Sequence, residues 1–333
     1  MKSKYTYILL LFVTAFVLML MACSKANDRP EAGEEITAGS SIYYVDTFKV
    51  YATDYEGNNR KLLFDEEIKS ENNYITDICI MPGSGKIVYS YITSYLNPEV
   101  IKITNADGSG KKVIKTIPAG TNLNFVKGIP NNRIYFGTGV RSGNNVINRF
   151  YVMNDDGTNE KELTSLNSFA GVQTAQVSSQ GKGLIANGGY FVKIKDDAFS
   201  ELESFNVLTN ENISDMEGGL VISPDATKLA FVVRTSVANK YNVRVKDIST
   251  RGTSSVVAYT FTLPTAGSSA TFNTPVNLCW ADNGKKLIFS YGKFTTPKGA
   301  ATDNSSIHLI DPANSKVTNW TFGGDGYLRV LTD

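Results

Sequence analysis

The single histidine of the chain, His308, restricts the chemistry that the sequence could perform. A Ser-His-Asp triad would have to use it as the base, yet no Gly-x-Ser-x-Gly elbow supplies a nucleophile. His308 lies in an alternating run, 306–310, which predicts a β-strand with the imidazole at a packed or edge position. We therefore expect no histidine-based catalysis and assign no catalytic residue.

Two acidic turns, 105–110 and 154–160, superficially resemble calcium loops. A calcium loop needs about a dozen residues and a bidentate Glu at its end, and neither turn has one. We predict hairpin turns instead, with no metal site and no cofactor. A carboxylate pair for glycoside hydrolysis stays open, because 32 acidic residues without a framework motif single out no pair.

The first of three cysteines, Cys23, ends an N-terminal segment of unusual composition. Lys2 and Lys4 precede an uncharged stretch, 5–21, and the sequence Leu-Met-Ala comes directly before the cysteine. This resembles a bacterial lipoprotein signal, which implies cleavage before Cys23 and attachment of lipid, palmitate included, to its thiol. A spanning helix wants about 20 apolar residues, and an ordinary secretory signal does not require the cysteine.

The resemblance divides the chain into a signal peptide at 1–22, a flexible polar tether at 23–40 and a folded domain at 41–333. Acidic residues in the tether loosely resemble the surface-export tethers of Bacteroidetes lipoproteins: Asp28, Glu31, Glu34 and Glu35. We expect the protein in the cell envelope, held by its lipid in the outer membrane and facing the periplasm or the exterior.

Composition excludes a nucleic-acid partner and favours strands. Loss of Lys2 and Lys4 with the signal leaves 31 basic against 32 acidic residues, so no net field attracts a polyanion. Tyr and Phe number 17 each, and helical periodicity is absent after the signal. These features predict an all-β fold.

A repeated unit predicts the architecture. A strand, a tight turn with Gly or Asp and a basic residue, and a strongly apolar strand recur at 78–90, 220–232 and 278–290, with weaker copies at 125–137 and 177–187. A strand, an Asn- or Asp-containing turn and another strand then follow, as at 101–110 and 151–160. Glycine in these turns supplies the positive φ that a tight hairpin needs.

The run Ser-Pro-Asp-x-x-Lys-Leu-Ala-Phe at 223–231, with the Asp-Gly hairpins, resembles the PD40 repeat of TolB-like β-propellers. The same repeat occurs in the propellers of prolyl oligopeptidase relatives. The resemblance covers nearly all of 41–333 and implies a β-propeller. Counting the repeated units predicts about six blades, near 41–70, 71–117, 121–166, 172–210, 217–263 and 274–333. Seven blades stay open because 264–274 and 291–305 are long.

The first repeat lacks a leading strand, and the last segment, 327–331, lacks a blade of its own. We predict that the two pair and close the ring. Cys79 and Cys279 share one repeat position, on the leading strands of the second and sixth blades, so we predict two buried thiols that do not form a disulfide.

The connections between the second and third strands of each unit are long and dissimilar, at 91–99, 138–148, 235–240 and 292–305. They should lie on one face, opposite the short turns, and Tyr and Arg are frequent anchors in binding sites. We therefore take as candidate binding residues Tyr91, Tyr95, Arg141 and Phe294. The alternative is that these loops merely tolerate insertion.

The sequence predicts a lipid-anchored envelope propeller that acts as a non-catalytic binding or assembly module for a protein or a glycan. The alternative is a hydrolase or lyase acting on extracellular glycan or peptide, with acidic residues in the central channel. Fold resemblance alone does not decide between them.

Overall fold

Runs of β-branched and aromatic residues between tight turns form the 26 strands found in the described part of the computed structural model. The structure describes residues 41–46, 49–55, 57–66, 74–92, 98–143, 145–166, 175–186, 189–194, 202–211, 216, 220–250, 254–262, 271–273, 277–291, 293–295, 305–322 and 328–332. The predicted signal and tether, Cys23 included, lie outside this part. No helix within the described ranges is long and apolar enough to cross a membrane.

Six antiparallel four-stranded sheets form the blades of a β-propeller, which confirms the predicted fold class. The first blade combines three strands from the start of the domain with the last strand of the chain: β1 (Ser41–Asp46), β2 (Lys49–Asp54), β3 (Lys61–Asp65) and β26 (Leu328–Thr332). The second blade contains β4 (Tyr74–Ile80), β5 (Ile87–Ile92), β6 (Val100–Thr104) and β7 (Lys112–Thr116). The third contains β8 (Thr121–Ile129), β9 (Arg133–Ser142), β10 (Asn145–Asn154) and β11 (Lys161–Glu162).

The remaining blades follow the same order. The fourth contains β12 (Ala175–Val177), β13 (Gly183–Ala186), β14 (Tyr190–Ile194) and β15 (Leu202–Asn206). The fifth contains β16 (Val221–Ile222), β17 (Lys228–Arg234), β18 (Lys240–Asp247) and β19 (Val256–Thr262). The sixth contains β21 (Asn277–Ala281), β22 (Lys286–Tyr291), β24 (Ser305–Asp311) and β25 (Lys316–Phe322), while β20 (Thr271–Asn273) and β23 (Lys293–Thr295) pair in a separate small sheet.

The C-terminal strand closes the ring, as the sequence predicts. β26 pairs antiparallel with β1, with Tyr43 opposite Leu331. The leading strands contact one another in the cyclic order β26, β4, β8, β12, β16, β21 and back to β26. The contacts of β26 with β21 and with β4 therefore complete the ring of six blades. The pairing of β26 with β1 gives β1 a hydrogen-bonding neighbour.

The core lies between neighbouring blades, because successive residues of a strand point to opposite faces of its sheet. In β5, Ile87 and Tyr89 pack against the first blade, whereas Val88 packs against the third. Strands with both faces covered read as continuous apolar runs, which explains why the second strand of each repeat is so apolar.

The two thiols are free in the structure, as predicted. Cys79 is buried, and its Sγ accepts a hydrogen bond of 3.0 Å from the amide of Gly128 in the third blade. Cys279 is partly exposed by area but packs beside Ala281 and Ile288 at the junction with the first blade. Burial raises the pKa of both thiols to about 12, so both stay protonated at neutral pH.

The short turns lie together on one face, as predicted. Lys86, in the turn between β4 and β5, forms an ion pair of 2.8 Å with Asp155, in the turn between β10 and β11. The amide of Asp155 also donates to the carbonyl of Asn132, between β8 and β9. We call the face with these turns the short-turn face and the opposite face the long-loop face.

One predicted long loop is wrong. The segment 138–148 continues as strand, with β9 reaching Ser142 and β10 starting at Asn145, so only two residues connect them. The β9–β10 hairpin extends past β8, because the pairing of β8 with β9 starts only at Thr121 opposite Val140.

Candidate functional site

Glycines of two Asp-Gly turns pack against the preceding blade on the short-turn face. A Cβ atom added at Gly108 would lie 2.3 Å from the carbonyl oxygen of Leu63, and one at Gly157 would lie 2.3 Å from that of Ile114. Leu63 and Ile114 are the bulged residues of the outer strands β3 and β7. At the first two blade junctions, the turn therefore covers the outer strand of the blade before it, and only glycine fits.

The carboxylates in these two turns are used within the turns themselves. Asp107 accepts the amide of Ser109 at 2.9 Å, and Asp156 accepts both the amide and the hydroxyl of Thr158. Side-chain and backbone hydrogen bonds from the residue two positions on lower the pKa of each carboxyl. These turns are hairpins, as predicted, and no cluster of three metal-ligating side chains occurs among the described residues.

The turns of the fifth and sixth blades lack the glycine. The register of β17 with β18, and of β22 with β24, places Thr250 and Asn314 where the second and third blades have Gly108 and Gly157. Clefts of about 540 Å³ and 710 Å³ lie at the two junctions that precede these turns. We call them cleft 4/5, between the fourth and fifth blades, and cleft 5/6, between the fifth and sixth.

Cleft 5/6 has an apolar floor and a charged rim. Trp280 lies at the floor, 6% exposed, and its indole N–H donates to the carbonyl of Val221 at 3.3 Å. The outer strand β19 contributes Val256 and Ala258, where Ala258 is the bulged residue that corresponds to Leu63 and Ile114. The rim carries three aspartates and three lysines: Asp247, Asp282, Asp311, Lys228, Lys285 and Lys286.

Cleft 4/5 adjoins cleft 5/6, because Asp247 lines both. Phe191 and Phe205 form its apolar side, and Lys182, Lys193 and Asp225 carry its charge. A smaller cleft of about 310 Å³ lies between the sixth and first blades, beside Tyr55, where the turn keeps its glycine. The two larger clefts thus flank the fifth blade on the short-turn face.

The aspartates of the clefts are bound within their own turns. Asp247 accepts the hydroxyl and the amide of Ser249 at 2.6 and 2.8 Å, and these bonds lower its pKa. For Asp225, partial burial raises the pKa, but hydrogen bonds from Ser223 and Thr227 outweigh it and the net shift is downward. Asp311 accepts the amide of Ala313. All three carboxylates therefore stabilise their own turns, and the lowered pKa values keep Asp247 and Asp225 ionised at neutral pH.

Several lysines of the clefts form no close ion pair, although Lys228 lies opposite Asp247 and contributes to lowering the pKa of that carboxyl. Among the described residues, no ion pair involves Lys182, Lys193 or Lys228, and all three side chains are exposed. Lys285 and Lys286 each lie 3.9 Å from Asp282, at the limit of an ion pair. Each cleft therefore presents both ammonium and carboxylate groups to a ligand.

Two buried glutamates join blades and do not face the clefts. Glu66 accepts the Tyr89 hydroxyl and lies 2.6 Å from the ammonium of Lys102. Burial, followed by the bond to Glu66, raises the pKa of Tyr89. Glu211 has the equivalent role before the fifth blade, where its Oε1 accepts the amide of Ser255 at 2.6 Å and lies 3.9 Å from Lys246.

The predicted binding residues are not brought together by the described structure. Tyr91 lies in β5, 3% exposed, with the ammonium of Lys102 4.6 Å from its ring centre, so its assignment to an exposed loop is wrong. Arg141 is exposed near the tip of the β9–β10 hairpin. Phe294 lies in β23 opposite Phe272, but its side chain is outside the described part, as is all of Tyr95.

His308 is a packing residue, as the alternating pattern predicts. It lies in β24, 7% exposed, with its ring stacked on Phe289 at 4.5 Å between centres and 8° between planes. The clefts, however, were missed by reasoning from loop length. The signal that could have located them is the replacement of the turn glycine at positions 250 and 314.

The fold is a six-bladed β-propeller in which two adjoining clefts flank one blade. No protein-family model and no curated protein sequence matches the chain. The fold is similar to a chain of a nidogen/laminin complex (12% identity, TM-score 0.41, covering 88% of this chain and 98% of that one). It is also similar to a prolyl endopeptidase (12% identity, TM-score 0.47, 90% of this chain and 49% of that one).

A further similar fold is an oligogalacturonate lyase in complex with manganese (10% identity, TM-score 0.32, 87% of this chain and 65% of that one). The chain spans about half the length of the prolyl endopeptidase. These likenesses concern the fold, and the set includes both enzymes and a protein from a binding complex.

Proposed function

We propose that the protein is a lipid-anchored envelope lipoprotein whose propeller binds a protein or a glycan without transforming it. The observation that carries the proposal is the pair of adjoining clefts around the fifth blade, open where the turn glycine is missing. Concave sites with apolar walls and a few polar groups are the usual binding sites of folded proteins. The lipid anchor at Cys23, the outer-membrane location and membership of the TolB-like family stay predictions from the sequence.

The state of the carboxylates supports binding over catalysis. A glycosidase needs one carboxyl with a raised pKa to protonate the leaving group. In the two clefts, each carboxyl with a shifted pKa is shifted downward, because it accepts hydrogen bonds in its turn. The histidine that a hydrolase triad would require is stacked inside the sixth blade.

The β9–β10 hairpin on the long-loop face is a second candidate binding surface. It exposes Arg141 beside Val146 and Ile147, which are 47% and 48% exposed. An exposed guanidinium beside aliphatic side chains is a common composition of binding hot spots.

Glycan and peptide arrays probed with the full-length protein test the proposal. We expect selective binding that Lys228→Gln or Lys285→Gln weakens, while Arg141→Ala shows whether the hairpin contributes. Lys161→Gln, an exposed lysine on β11 away from the clefts, is the matched control. Turnover of a bound glycan or peptide by the wild-type protein would contradict a non-catalytic function.

A further inference from the structure

Three clefts on the short-turn face adjoin one another in the order of the blades. Cleft 5/6 shares Asp247 with cleft 4/5. It also shares Lys286 and Asp311 with the smaller cleft beside Tyr55, which we call cleft 6/1. The three clefts, of about 540, 710 and 310 Å³, therefore follow one another from the fourth blade to the first. A linear molecule can contact neighbouring clefts of this kind at the same time.

Each of the three clefts has an aromatic side chain in its wall. Phe205 lines cleft 4/5, Trp280 lines cleft 5/6 and Tyr55 lines cleft 6/1. The polar ends of two of these rings are bound by the protein. The indole N–H of Trp280 donates to the carbonyl of Val221, and the hydroxyl of Tyr55 accepts the amide of Asp282 at 3.1 Å. The two rings are therefore held in place before a ligand arrives, which lowers the entropic cost of binding.

The polar groups of the clefts carry both charges and do not select a charged ligand. Cleft 5/6 is lined by three aspartates and three lysines, and cleft 4/5 by two of each. Equal numbers of opposite charges create no net field that would attract an anion or a cation. Cleft 6/1 combines Asp311, Lys286 and Lys316 with the neutral side chains of Asn314 and Thr318. A hydroxyl group donates to a carboxylate and accepts from an ammonium group, so this mixture suits a neutral ligand rich in hydroxyl groups.

The charged groups of cleft 5/6 keep capacity for such hydrogen bonds. The carboxylate of Asp282 lies 3.9 Å from the ammonium groups of Lys285 and Lys286. A direct hydrogen bond between such groups is shorter, about 2.7–2.9 Å. Lys228 is exposed and lies opposite Asp247 in the sheet, without a close ion pair among the described residues. Both signs of charge are therefore available to ligand hydroxyl groups in the same cleft.

We propose that the three clefts form one groove that binds a linear, uncharged oligosaccharide. The proposal deepens the proposed binding function and rests on it. The C–H faces of successive sugar rings pack against Phe205, Trp280 and Tyr55, and the sugar hydroxyl groups hydrogen-bond to the carboxylates and ammonium groups around them. A peptide carries few hydroxyl groups, so the mixed charge of the groove favours a glycan.

A panel of hexasaccharides tests the proposal, with neutral chains of glucose, mannose or galactose units, the acidic chain of galacturonate units, and the disaccharide of each. Isothermal titration calorimetry with the full-length protein measures the affinities. We expect a neutral hexasaccharide to bind with an affinity that changes by less than about twofold between low and high salt, because an uncharged ligand forms no ion pair that salt could screen. Its disaccharide should bind at least about tenfold more weakly, because it contacts fewer clefts.

Two substitutions of opposite sign distinguish hydroxyl recognition from charge recognition. Lys228→Gln and Asp282→Asn should each weaken binding of the neutral hexasaccharide by about tenfold, because each removes a hydrogen bond to a charged group. If Asp282→Asn instead strengthens binding while Lys228→Gln weakens it, the groove selects anions and the proposal is wrong. Lys161→Gln, the control away from the clefts, should leave the affinity unchanged within about twofold. Equal melting temperatures of the variants and the wild type show that the fold is intact.

Other occupants give distinguishable results. If a peptide from the arrays binds in the groove and no neutral hexasaccharide does, the glycan assignment is wrong and the proposed binding function stands. Binding of the galacturonate chain alone would likewise overturn the uncharged ligand. If a neutral disaccharide binds as tightly as its hexasaccharide, the clefts are separate sites and do not form one groove. If neither the panel nor the arrays contain any bound ligand, the proposed function itself fails.

Discussion

Gly108 packs against the preceding blade, whereas Gly83 does not, although the two have similar backbone conformations. We therefore predict that Gly108→Ala and Gly83→Ala differ in their effect on stability. Gly108 has φ +83° and a site for Cβ only 2.3 Å from the Leu63 carbonyl oxygen. Gly83, in a short turn of the same blade, has φ +85° and nothing within 4 Å of its Cβ position. Replacement of each by Ala therefore separates the cost of the backbone conformation from the cost of the contact between blades.

The expected magnitudes follow from these distances. An alanine with positive φ costs about 1–2 kcal/mol, and this cost applies to both variants. At Gly108 the new methyl group would also have to move at least about 0.7 Å to reach the 3.0 Å that real contacts respect, and such overpacking typically costs about 1–3 kcal/mol more. We expect Gly83→Ala to lower the free energy of unfolding by about 1–2 kcal/mol and Gly108→Ala by about 2–5 kcal/mol.

Urea unfolding followed by tryptophan fluorescence and circular dichroism measures both variants against the wild type. The difference between them, converted through the common slope of the transitions, gives the energy of the contact between blades. Equal losses for the two variants would refute the conclusion that the Asp-Gly turn covers the preceding blade. The explanation of the clefts at 4/5 and 5/6 would then fail with it.

Two substitutions and one truncation test separate parts of the account. Cys23→Ala should abolish incorporation of a fatty-acid analogue in vivo, and undiminished label would contradict the lipid anchor. Ending the chain after Phe322 removes β26, so the truncated protein should aggregate or lose its cooperative transition; a wild-type melting curve would show that closure does not depend on this strand. Glu66→Leu leaves the Lys102 ammonium without its carboxylate and should lower the free energy of unfolding by about 3–5 kcal/mol. The control Glu160→Leu removes a more exposed ion pair with Lys115 and should lower it by about 1 kcal/mol or less. Similar losses for both variants would contradict the importance of the buried Glu66–Lys102 pair.

The repeat made the architecture predictable. Equivalent positions 87, 229 and 287 are the first or second residue of the second strand of their blades, and the lone leading strand at the C terminus fits only the blade that lacks one. Blade boundaries and ring closure follow, because four-stranded antiparallel units can bury both faces only against each other. The hairpin at 138–148 was misread because glycines at 137, 139 and 143 resemble a loop, whereas two of them lie inside a strand beside Phe125 and Val146.

The clefts that flank the fifth blade were less predictable, because they result from the lack of a glycine at one turn position. Loop length favoured the long-loop face and placed Tyr91 there, although an aromatic residue at the end of an apolar strand is more easily buried than exposed. The clefts depend on whether a turn reaches the outer strand of the preceding blade. That contact joins residues about 45 positions apart, such as Gly108 and Leu63, and local patterns do not report it.

Hydrogen–deuterium exchange of the full-length protein, with and without a ligand selected on the glycan and peptide arrays, tests the central claim most directly. The account predicts slower amide exchange on binding in β19 and in the turn at 247–250, with no change in the β9–β10 hairpin. Protection confined to 133–154 would contradict it and place the binding surface on the long-loop face.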